Sequence, residues 1–188
     1  VLFDSFGTSN NIKNILDGLV EKNDSTIATF SIINEASYCG IEDENLLAYI
    51  SALYAGFIEK SNYSKIQLIG FQAGGILAVE IATKLLKKGK NIDKAILIDS
   101  CPIEAGYLKD EIIEEEFLKL LGIEEKILLE YLDNSITAYI SLQKNRDERL
   151  KLYSEIVQKE ISKEISYEDI LKLFNIHNKT LNGFKTSI

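Results

Sequence analysis

Gly70-Phe71-Gln72-Ala73-Gly74 has the spacing of a nucleophile elbow, G-x-S-x-G, with a glutamine in the serine's place. In that pattern the central residue sits on a strained strand-to-helix turn that lifts its side chain above a sheet. Small residues flank it, because so tight a bend has little room for a Cβ. One strand later, Asp99 ends the apolar run Ala95-Ile96-Leu97-Ile98. A carboxylate there is placed to orient a histidine base and stabilise its protonated form; capping the loop before Pro102 is the plainer alternative. The N–H of Ala73 and an N–H from the loop at Phe6, Gly7 and Thr8 are expected to form an oxyanion hole. Those donors are backbone groups and do not depend on a serine. Gln72 itself cannot attack, since a carboxamide nitrogen is not basic and offers no proton that a histidine usefully removes. Losing a triad nucleophile costs on the order of 10⁶ in kcat, with about 10³–10⁴ over water left to the oxyanion hole and binding.

Positioning these groups takes alternating strands and helices. Residues 1–3 read as a short strand leading into a polar, Gly-containing loop over 4–9. Ile12, Ile15, Leu16, Leu19 and Val20 recur at helical spacing, with Ser9 or Asn10 as N-cap. Residues 26–33 are β-branched and aromatic, hence a strand. A helix over 42–60 shows an apolar face of Leu46, Leu47, Ile50, Leu53, Tyr54, Phe57 and Ile58. A strand at 66–69, the elbow, a helix over 76–86 and a strand over 94–98 complete the series. This alternation predicts a parallel sheet with helices on both faces, and ligands at the carboxyl ends of its strands.

After residue 104 the pattern becomes helical: 110–121, 124–143, 146–161 and 167–179, the last opened by a Ser166/Asp169 capping box. A helical stretch over 105–182, with a strand starting at 183–188, has the layout of a lid inserted into a single domain.

At 188 residues, 46% apolar and 27% charged, the chain is long enough for one well-buried core. A net charge of −8 argues against nucleic acid and anionic membrane surfaces as partners. No membrane-length apolar run and no signal peptide are evident, and Cys39 and Cys101 make neither a disulfide framework nor a metal pattern. Both cysteines are expected to be small apolar fillers in a cytoplasmic protein with no bound cofactor. The absence of methionine suggests a piece of a longer sequence.

The remaining groups have plain readings. His177, the single histidine, lies within a predicted helix and reads as a helix residue rather than a triad base. Lys84, Lys87 and Lys88 suit the negative end of the elbow helix. Glu114-Glu115-Glu116 reads as a solvated face. Phe117, Leu120, Leu121, Leu128, Leu129, Tyr131 and Leu132 are expected on the lid's inner surface.

Gly70-Phe71-Gln72-Ala73-Gly74-Gly75, the following Leu77-Ala78-Val79-Glu80-Ile81-Ala82, the turn Lys88-Gly89-Lys90, and Ala95-Ile96-Leu97-Ile98-Asp99-Ser100 together resemble the thioesterase domains of nonribosomal peptide and polyketide synthases. The doubled glycine after the elbow and the Ile-Asp-Ser ending carry the resemblance. It implies an α/β-hydrolase fold with a helical lid, and release of acyl or peptidyl chains from a carrier protein's phosphopantetheine arm. Carried over by position, Gln72 takes the nucleophile's place, Asp99 the triad acid's, and Gly70, Gly74 and Gly75 frame the elbow. The family's histidine follows later strands, beyond Ile188. The glutamine implies an impaired or inactive thioesterase; a non-catalytic acyl or carrier-protein binding module, a structural interaction module and a water-using hydrolase are the alternatives.

Overall fold

Three parallel strands form the sheet, in the order β1 (Leu2–Phe3), β2 (Ile66–Phe71), β3 (Ile92–Ile98). The computed structural model describes residues 2–3, 39–61, 63–103, 109–132, 136–142 and 145–184. The helix expected around residues 12–20, the strand over 26–33 and the Phe6–Gly7–Thr8 loop lie outside the described residues. Leu2 pairs with Ile69 and Phe3 with Gly70, while Phe71 stands opposite Ile98. Along β2, Ile66, Leu68 and Gly70 alternate into the interior, as a strand's two-residue period requires. The expectation of an apolar strand covered on both faces does not hold for β3, whose Ile96 and Leu97 stay exposed.

The chain divides into two units, residues 1–104 with 179–188, and residues 105–178. The first unit carries the sheet with α1 (Asp43–Glu59) and α2 (Ala73–Lys87). Leu46, Ile50, Tyr54 and Ile58 bury one side of α1, whereas Leu53 and Phe57, read as part of the same face, remain exposed. Leu77, Ala78, Ile81 and Leu85 bury α2. Its end is shaped by Gly89 at φ 75, with the Lys90 N–H donating to Leu85 O at 3.0 Å; a left-handed glycine there satisfies a carbonyl the helix leaves open.

The second unit is helical: α3 (Asp110–Leu120), α4 (Glu125–Tyr131), α5 (Ile136–Leu142), α6 (Arg146–Glu160) and α7 (Tyr167–Gly183), whose last turn belongs to the first unit. The single helix expected over 124–143 is two. Leu132 is already extended (φ −115, ψ 130), and Asp-Asn-Ser follows it, side chains that compete with helical hydrogen bonds. The capping box at α7 forms: Ser166 Oγ accepts from Asp169 N at 3.2 Å, and Asp169 Oδ2 accepts from Ser166 N at 3.0 Å. Gly183 closes α7 and Phe184 is a buried turn residue, so the strand expected from 183 does not start there. Leu129 is exposed rather than part of an inner surface, and both cysteines are exposed rather than core fillers.

Within the second unit Glu114 departs from the solvated face expected of the glutamate run. Glu114 is fully buried and accepts from Arg149 Nε at 2.8 Å and from the Tyr153 hydroxyl at 2.9 Å. Asp110 and Arg146 extend the network at its exposed side. His177 stacks on Phe117, with ring centroids 5.7 Å apart, and its Nε2–H donates to Ile113 O at 2.9 Å. Burial pushes its pKa from 6.5 down to about 4, with the Ile113 bond opposing that shift.

The buried ring stays neutral while the unfolded ring takes a proton near pH 6.5. Between pH 6.5 and about 4 the unfolded state therefore binds more protons, and stability falls as pH falls. At roughly 1.4 kcal/mol per pKa unit, the loss across that window is expected to reach about 3 kcal/mol. Urea denaturation of the native protein and His177→Gln at the two ends of the window checks this. The stability gap should narrow markedly on acidification; a constant gap would contradict the assignment.

Candidate functional site

Gln72 stands between β2 and α2 with φ 50 and ψ −125, a backbone conformation that side chains other than glycine rarely adopt. The turn is fixed from both sides. Gln72 N–H donates to Ile98 O on the neighbouring strand at 2.9 Å, and Gly75 N–H donates back to Gln72 O at 2.9 Å. The two glycines flanking the bend answer to space rather than flexibility. A Cβ on Gly70 would lie 2.3 Å from Gly75 Cα and 2.4 Å from Gly74 O. One on Gly75 would lie 2.1 Å from Ser100 Oγ. The second glycine of the doubled pair thus admits the residue that follows Asp99.

A residue held in such a conformation costs about 1–3 kcal/mol, which the surrounding structure must over-determine. Gln72→Gly is expected to recover most of that cost. Equilibrium unfolding should show a stability gain on the order of 1–3 kcal/mol; a loss would mean that the Gln72 side chain contributes more than its backbone strains.

Asp99 also has positive φ, at 49, which aspartate tolerates better than most residues. Because Phe71 and Ile98 are register partners, Gln72 and Asp99 leave the sheet from adjacent strands at its carboxyl end. Asp99 is exposed there, and Ser100 Oγ donates to Ile98 O at 3.1 Å, tying down the chain just beyond it. In the sequence Ser100 is only part of a pattern; its packing against Gly75 is a long-range contact that no local period announces.

Ala73 is the first residue of α2, so its backbone stands at the positive end of that helix. The first turn of α2 carries no acidic side chain, and Lys84 and Lys87 sit in the last turn. The positive end of the helix dipole therefore points at the elbow unneutralised by the helix's own residues, a setting that favours a partial negative charge. Phe6 and Gly7, expected as the other wall of an oxyanion hole, are outside the described residues. His177 lies in a helix as read, and the structure adds that it is a buried residue of the second unit. Lys88 pairs with Glu59. Among the described residues no cluster of His, Cys, Asp and Glu is arranged to hold a metal. No helix among them is long and apolar enough to cross a membrane.

No protein-family model matches the chain, and no solved structure matches it. Among curated proteins, bacitracin synthase 3 of Bacillus licheniformis is 34% identical over 85 residues, covering 40% of this chain. The chain spans 1% of that protein's length. The similarity is partial: it links this chain with a small portion of a very large synthase.

Proposed function

We propose that this chain is a thioesterase-like α/β-hydrolase domain of a nonribosomal peptide or polyketide assembly system, and that it engages acyl or peptidyl chains on phosphopantetheine without forming an acyl-enzyme. The observation that carries the reading is the backbone of Gln72. A strained, positive-φ residue between a parallel strand and a helix, walled by Gly70 and Gly75, has the geometry a nucleophile elbow needs. Asp99 at the end of the adjacent strand and the partial likeness to bacitracin synthase 3, a nonribosomal peptide synthetase, support it. The helical second unit takes the part of the lid, and a carrier protein is the partner.

In this reading the Gln72 carboxamide holds the ligand. Its NH₂ donates to a thioester carbonyl or a pantetheine amide, and its carbonyl oxygen accepts from a pantetheine N–H. The Ala73 N–H and the helix dipole favour the carbonyl oxygen. No covalent step follows, because the amide has no lone pair basic enough to attack.

Titration of the protein with an S-acyl pantetheine, followed by amide NMR, tests this. Saturable shifts of the Gln72 side-chain NH₂ and the Ala73 N–H are expected, with free thiol appearing no faster than from the probe alone. Absence of shifts at both groups would remove the binding role. Thiol release above background that Asp99→Asn abolishes would replace it with hydrolysis by water.

A further inference from the structure

We propose that the outer face of α1 is a self-association surface, on which a second copy of this chain packs its own α1 antiparallel. Residues 46–58 include no charged side chain, and a helix apolar all round is normally covered all round. Among the described residues, the buried side is Leu46, Ile50, Tyr54, Ala55 and Ile58. Tyr49, Leu53 and Phe57, spaced four apart on the other side, are 50%, 40% and 53% exposed.

Beside that ridge runs a low row with the same spacing, Ala48, Ala52 and Gly56, the two alanines exposed. A Cβ on Gly56 would meet nothing within 4 Å. A mid-helix glycine costs roughly 0.5–1 kcal/mol against alanine, and among the described residues no neighbour calls for it. A close-approaching second backbone does.

Ridge and row share one pitch on one helix, so the face is complementary to a copy of itself. The ridge of each copy lies beside the other's row with the two axes close to antiparallel, and a two-fold axis makes the contact closed. Charge fits the same arrangement. Glu42 and Lys60 cap α1, both exposed, and about five turns apart they fall on the same side of the helix. A two-fold centred at the level of Ser51 sets Glu42 of each copy against Lys60 of the other. One helix pair sits at the low end of interface sizes, about 1,000 Å² in total, so the dimer is reversible.

Sedimentation across nanomolar to high-micromolar protein tests the proposal, with a concentration-dependent monomer–dimer equilibrium expected. Gly56→Glu obstructs the row at a position where an added Cβ meets nothing within 4 Å among the described residues; it should unfold at the same or a higher temperature yet remain monomeric. Glu42→Lys should weaken the dimer roughly tenfold or more by like-charge repulsion, and Glu42→Lys combined with Lys60→Glu should restore it. A native chain that stays monomeric throughout overturns the proposal. So does a dimer that Gly56→Glu leaves unchanged, or a double charge swap that associates no better than the single one.

Discussion

Glu114→Ala is expected to destabilise the helical unit by about 3–5 kcal/mol, the largest effect of any single substitution considered. Glu114 is fully buried and Arg149 is 2% exposed, so the guanidinium would lose its counter-charge where water cannot replace it. The Tyr153 hydroxyl would also lose its acceptor. Burial, with the Glu114 charge beside it, holds that hydroxyl's pKa far above the usual tyrosine range, so it stays protonated and donating. Asp110, at 3.6 Å from Arg149 and largely in water, is too far and too screened to take over. Its neighbour supplies the control. Glu115 pairs with Lys119 on the exposed side of α3, and Glu115→Ala should cost less than about 0.5 kcal/mol. Urea denaturation of the two variants separates the cases; equal losses would mean that the buried pair contributes no more than a surface one.

Gly70→Ala is expected to cost about 3 kcal/mol, at the upper end for inserting one methyl into a packed site. The atoms that a Cβ would strike there, Gly75 Cα and Gly74 O, are backbone and cannot rotate aside. Either α2 moves away from β2, which disturbs the bend at Gln72, or the chain carries the strain. Gly75→Ala differs in kind, because its obstacle is the Ser100 side chain, with Oγ at 2.1 Å and Cβ at 2.4 Å. Ser100→Gly should therefore rescue Gly75→Ala substantially and leave Gly70→Ala unrelieved. Melting of the four variants measures this; equal rescue of both alanines would contradict the contacts that define the elbow.

These two sites show which features a sequence discloses. The bend is local: five residues between an apolar strand and an apolar helix announce a strand-turn-helix, and β2, Gln72 and α2 follow in that order. Helix α2 starts at Ala73, earlier than the spacing suggested, because Gly74 and Gly75 are poor helix formers yet tolerated where close packing demands them. The Ser166/Asp169 box is local too and forms as read.

What escaped is non-local. Three consecutive glutamates read as solvated, although Glu114 shares the helical stripe of Ile113, Phe117 and Leu118, all buried. That phase was a usable signal, but the partner that makes burial tolerable, Arg149, lies on another helix. Spacing alone puts Leu53 and Phe57 on the apolar face of α1, because every residue between 46 and 58 is uncharged and the pattern has no polar side to orient it. Cys39 and Cys101 show the same limit: cysteine is usually buried, yet which cysteine is buried depends on contacts that composition does not contain.

The account rests on an amide, rather than a hydroxyl, occupying the tip of a working elbow. Peptide mapping by mass spectrometry after incubation with an S-acyl pantetheine tests that most directly. The peptide spanning residues 70–75 should keep its unmodified mass, whatever the incubation time. An acyl group found on that peptide in the native chain would contradict the account, since it would show that the elbow still carries a nucleophile.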